Sequence, residues 1–118
     1  MRQFSSASAV LLTVLLAGCG DAQGEGPMRP GIYAFEAPDG SRHRMVFGKD
    51  GTYSDMVDNQ PKPAGQGAWF RRSGQLCLKP DNTGNDLCLE EKARGDDGSF
   101  TLSGNGIVTH FTLEASAS

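Results

Sequence analysis

Gln75-Leu76-Cys77-Leu78-Lys79 and Leu87-Cys88-Leu89-Glu90-Glu91-Lys92 decide how this chain folds. Side chains alternate faces along a strand, so Leu76 and Leu78 share one face and Cys77 takes the other. In an antiparallel pair the numbers of opposed residues have a constant sum. The sum that sets Cys77 opposite Cys88 also sets Leu76 opposite Leu89 and Leu78 opposite Leu87. One register therefore joins two sulfurs on one face and gathers four leucines on the other. A slip of one residue would destroy both agreements, so the register is specified. A cystine between adjacent strands suits a non-hydrogen-bonded pair, where side chains lie closest. Closing so short a loop contributes about 2–3 kcal/mol. Neither cysteine belongs to a Cys-x-x-Cys motif, so the pair reads as structural rather than redox-active.

Outward from this hairpin the same alternation recurs. Tyr33 and Phe35 share a face, as do His43, Met45 and Phe47, and Ile107, Thr109, Phe111 and Leu113 make a final stripe. Eight strands are predicted: 32–36, 43–47, 52–57, 67–72, 75–79, 87–92, 99–102 and 107–113. Turn sequences separate them, among them Pro38-Asp39-Gly40, Gly48-Lys49-Asp50-Gly51, Ser73-Gly74, Asp96-Asp97-Gly98 and Ser103-Gly104-Asn105-Gly106. Short sequential strands with hairpin links favour an all-β antiparallel meander. Eight of them close naturally into a small up-and-down barrel, which removes the edge strands. A curved open sheet or a two-layer sandwich is the alternative.

The chain opens with Met1-Arg2-Gln3, and an apolar run follows from Ala9 to Ala17. A positive start before a short apolar segment is the pattern of a secretory signal. The run is too short to span a bilayer, which takes about 20 apolar residues. Leu16-Ala17-Gly18-Cys19 resembles the bacterial lipobox: an aliphatic residue, two small residues, then cysteine. The resemblance implies cleavage before Cys19 and a lipid on its thiol. The domains then divide as 1–18 signal peptide, 19–30 flexible tether, 31–114 β-domain and 115–118 disordered tail. Ordinary signal cleavage, after Ala22, is the alternative. Cysteine number agrees with the lipid reading, because an odd thiol in an exported protein needs a use. Lipid takes Cys19, and an oxidising envelope pairs Cys77 with Cys88. Two acyl chains already anchor stably. Asp21 stands one place after the position that holds enteric lipoproteins in the inner membrane, which favours the outer membrane.

Sixteen glycines among 118 residues, against a usual level of about 7%, fit many tight turns. Without Arg2 the mature chain keeps one fewer than the 11 basic residues against 14 acidic ones. A mildly acidic chain argues against nucleic acid, which wants a basic patch. A single monomeric domain is expected.

Chemical motifs are sparse. There is no Gly-x-Ser-x-Gly elbow, no His-Glu-x-x-His and no phosphate loop. His43 alternates with apolar neighbours, so it points inward and is a candidate ligand-binding residue; His110 falls opposite Phe111 and should be exposed. Two isolated histidines do not make a metal site. Residues 81–86 are rich in oxygen ligands but lack the sixth-position glycine of a calcium loop and its twelfth-position glutamate, where Lys92 stands. No metal or cofactor is expected. Gly67-Ala68-Trp69 resembles the Gly-x-Trp signature of lipocalins and avidin-like barrels, though it lies mid-chain rather than on the first strand. Trp69 and Arg71 share a face, so a guanidinium packed on the indole is expected, and both join His43 as ligand-binding candidates. Arg42, Arg44, Arg71 and Arg72 would form a basic surface if they clustered.

The mature part resembles the small one-disulfide β-domains exported by many Gram-negative bacteria. That implies a non-enzymatic binding or interaction module, tethered to the membrane through Cys19 and meeting an envelope protein or a small ligand. A periplasmic protease-inhibitor-like barrel and an enzyme with an unrecognised site are the alternatives.

Overall fold

Period-two alternation builds every element of the computed structural model, which describes residues 25–117. The strands are β1 (Gly31–Glu36), β2 (Arg42–Phe47), β3 (Thr52–Val57), β4 (Gly65–Arg72), β5 (Gln75–Pro80), β6 (Leu87–Ala93), β7 (Phe100–Gly104) and β8 (Ile107–Ser116). Each pairs antiparallel with the next, and β8 returns to β1, so the sheet closes into an eight-stranded barrel. Cys77 lies opposite Cys88, flanked by Leu76 with Leu89 and Leu78 with Leu87, and the sulfurs are joined. Leu76 and Leu78 are buried and Leu89 packs against the core, whereas Leu87 sits exposed at the rim.

Two turn chemistries set the hairpins. Ser73-Gly74 and Asn105-Gly106 are two-residue loops with positive φ at both positions, the twist that matches paired strands. Three other turns read Asp-Gly-Ser or Asp-Gly-Thr. Asp39 Oδ1 accepts the N–H of Ser41 at 2.9 Å, Asp50 Oδ1 that of Thr52 at 3.1 Å, and Asp97 Oδ1 that of Ser99 at 3.0 Å. The glycine between takes a φ of 88°, 87° and 91° in turn. The carboxylates are held below their ordinary range. The Ser41 and Thr52 hydroxyls are the main cause at Asp39 and Asp50, and the Ser99 N–H is at Asp97.

The interior is filled by the protein's own side chains, as suits a barrel of eight strands. An aromatic column runs along it. Trp69 lies edge-on to Phe47 (6.2 Å), Phe47 to Phe100 (6.4 Å) and Tyr33 to Phe100 (4.9 Å). Phe100 stacks on Phe111 (4.8 Å), which meets Phe35 (4.8 Å), and Phe35 meets the His43 ring (4.7 Å). The end where β1 begins is termed the base, and the end where it finishes is termed the mouth.

Both expected flanks differ from their sequence reading within the described residues. Residues 25–30 do not hang free: Met28 is 1% exposed and belongs to the core. The last strand does not fray after residue 114; it runs to Ser116, with Gly31 opposite Ser116 and Ile32 opposite Ala115. Barrel closure is the reason, because β1 has no other partner for that edge. The approach is so close that a Cβ on Gly31 would lie 2.5 Å from the Ala115 carbonyl oxygen. Cys19, the expected lipid site, and the expected signal peptide 1–18 lie outside the described residues.

Candidate functional site

At the base, β4 turns Trp69 and Arg71 inward, and β6 turns Glu91 inward by the same parity as Leu89. Arg71 Nε donates to Glu91 Oε1 at 2.9 Å and Nη2 to Oε2 at 2.7 Å. The two side chains are 8% and 3% exposed. Both also grip the backbone of residue 28. Arg71 Nη2 donates to the Met28 carbonyl at 2.8 Å, and the Met28 N–H donates to Glu91 Oε2 at 2.5 Å. The guanidinium lies 5.6 Å from the Trp69 ring, as the shared face predicts. The indole N–H donates to the Gly48 carbonyl at 2.9 Å, tying down the β2–β3 turn. Tyr33 completes the closure by donating to the Arg29 carbonyl at 2.7 Å, and burial pushes its phenol pKa up. Gly67, the glycine of the Gly-x-Trp stretch, is required by close approach: a Cβ there would run into the Lys79 carbonyl oxygen. Trp69 and Arg71 thus form a clamp on the N-terminal segment. A small depression of about 120 Å³ remains beside them.

At the mouth, His43 points inward as its alternation requires. Its partners are residues the sequence did not single out. Nδ1 lies 2.6 Å from Asp55 Oδ1, and Nε2 lies 2.8 Å from Ser41 Oγ. The Ser41 hydroxyl also lies 2.6 Å from Asp39 Oδ1. Asp55 shares the inward parity of buried Tyr53, which is the signal that could have found it; Ser41 closes an Asp-Gly-Ser turn, which placed it in a loop and hid its reach. His43 and Asp55 are 12% and 22% exposed, so solvent reaches the pair. The structure separates this polar cluster from the base clamp, so His43 does not share a site with Trp69 and Arg71.

Outside the wall, a groove of about 530 Å³ crosses β8, β1 and β2. Ala34 and Thr112 leave its floor low, and Glu36, Arg42, Arg44, Asp58, Arg94, His110 and Glu114 raise its sides. Arg44 donates to Glu114 at 2.7 Å and to Asp58 at 3.4 Å. The four arginines do not form one basic patch. Arg42 and Arg44 line the groove, Arg71 is buried, and Arg72 lies over Phe70 on the outer wall, within 3.1 Å of Asp86. His110 is exposed, as expected. Among the described residues, no three His, Cys, Asp or Glu side chains converge as a metal-binding group.

Compared with protein-family models, curated proteins and solved structures, the chain matches none.

Proposed function

We propose that this is a membrane-anchored envelope lipoprotein whose β-domain works as a binding module through its outer surface. The observation that carries this reading is the filled interior. A barrel packed with Tyr33, Phe47, Trp69, Phe100 and Phe111 has its lumen occupied by its own core, so recognition falls to the wall and the loops. The charged outer wall supports a domain bathed in water, because a barrel that crosses a membrane carries an apolar band outside and polar groups within. The base clamp supports an orientation. The stretch from Cys19 to Glu25 reaches at most about 20 Å when extended. A lipid on Cys19 therefore keeps the base close to the bilayer, on the periplasmic side with the outer membrane favoured, and turns the mouth away from it. The groove across β8, β1 and β2, with charges of both signs around a small-residue floor, is the surface best shaped for a partner.

A photo-crosslinking amino acid at Thr112, in the groove floor, tests this in intact cells. Lys79 on β5, across the barrel, is the control position. A discrete envelope adduct from Thr112 and none from Lys79 is the expected result. Equal crosslinking from both positions, or none from either, contradicts a partner at the groove.

A further inference from the structure

We infer that Ser41, His43 and Asp55 form a serine acyl-transfer centre at the mouth of the barrel, acting on carboxylic esters. This goes beyond the binding reading above and does not depend on the lipid anchor.

The geometry is that of a nucleophile, a base and an orienting acid. Asp55 on β3 lies 2.6 Å from His43 Nδ1 and fixes the ring, leaving Nε2 aimed at Ser41 Oγ at 2.8 Å. Such sets are recognised by geometry and role, whatever the chain order or fold. Phe35 lies 4.7 Å from the imidazole and limits its rotation. Neither His43 nor Asp55 is sealed from solvent, and the outer groove passes beside His43 and Arg42.

The histidine is not needed for the turn. At Asp50-Gly51-Thr52 the same device is complete when the Thr52 N–H and hydroxyl donate to Asp50, at 3.1 and 2.7 Å. Ser41 makes the equivalent bonds to Asp39 and in addition reaches an imidazole. Its hydroxyl has one proton and two acceptors. Rotation about Cβ–Oγ moves that proton from Asp39 toward Nε2 without displacing a heavy atom. Asp39 is therefore a brake on the nucleophile.

In the reaction, Ser41 Oγ bonds to the ester carbonyl carbon while its proton passes to His43 Nε2. The bond from carbon to the alkoxy oxygen breaks, and Nε2 returns the proton to the leaving alcohol. Water then attacks the acyl-serine and gives a proton to Nε2. The bond from Oγ to carbon breaks, the carboxylic acid leaves, and Ser41 regains its proton.

The test is labelling of the full-length protein, in mild detergent, with a fluorophosphonate followed by peptide mass spectrometry. One adduct on Ser41 is expected, absent in Ser41→Ala. Labelling should be about a hundredfold slower in His43→Gln, the scale of a lost general base, and at least as fast in Asp39→Asn. Near-ultraviolet circular dichroism of Trp69 checks that each variant keeps its fold. Asp55→Asn provides a second slowed variant if His43→Gln fails that check. No adduct on wild-type Ser41, or equal rates in the wild type and the folded slowed variant, overturns the proposal.

Discussion

Arg71 and Glu91 meet fork to fork inside the base of the barrel, and each also holds the backbone of Met28. Removing one partner strands the other charge in a buried place, which costs about 3–5 kcal/mol. Glu91→Ala should lower the urea midpoint accordingly. The double change Arg71→Met with Glu91→Leu should recover only part of that loss, because it removes the buried charges but takes away the partners of the Met28 N–H and carbonyl. A single variant as stable as wild type would contradict the clamp.

Met28 closes the base as a core residue. Met28→Ala should cost about 2–5 kcal/mol, the range for deleting a buried large side chain. Limited proteolysis should then cut first between residues 25 and 30. An unchanged midpoint and an unchanged cleavage pattern would show that this segment is not packed as described.

The Cys77–Cys88 bridge spans a sequence separation of 11 residues. Replacing both cysteines by alanine should cost about 2–3 kcal/mol through the freer unfolded chain, and non-reducing mass spectrometry of the wild type should find the two peptides linked. Free thiols in folded protein isolated without reductant would contradict the pairing.

Stability should fall in acid through Asp39, Asp50 and Asp97. Their folded pKa values are depressed by hydrogen bonds to the residue two places on. Each therefore contributes above the unfolded value of about 4, and the contribution disappears as pH drops through the folded value. The triple Asp→Asn variant should show a flatter unfolding profile between pH 5 and pH 2, as about the range over which carboxylates titrate. Tyr33 acts in the opposite direction. Burial raises its pKa, so its contribution holds below the unfolded value of about 10 and is lost at higher pH. Tyr33→Phe should remove that alkaline loss. Superimposable pH profiles for wild type and variants would contradict these assignments.

The fold was legible because alternation, turn residues and the leucine–cysteine coincidence agree. The strands lie within two residues of their predicted ends, apart from the extension of β8 to Ser116. The tether boundary was not legible. Met28 stands between Pro27 and Arg29 in a polar stretch, with no period to mark it, and only the inward Arg71 and Glu91 across the barrel give it a place. Glu91 was readable in principle, since it continues the Leu87–Leu89 face, but a Glu90-Glu91 pair looks like a solvated surface. His43 was found by parity. Ser41 was not joined to it, because its Asp-Gly-Ser turn reads as a loop; Asp55 was not, because that contact depends on the pairing of β2 with β3, which no local pattern encodes.

A lipid on Cys19, as proposed above, would decide where the domain sits and which end of the barrel faces the membrane. Metabolic labelling with palmitate, followed by intact-mass analysis of the mature protein, tests it directly. Wild type should incorporate label and begin at Cys19, and Cys19→Ala should do neither. An unlabelled wild-type protein, cleaved beyond Cys19, would contradict it.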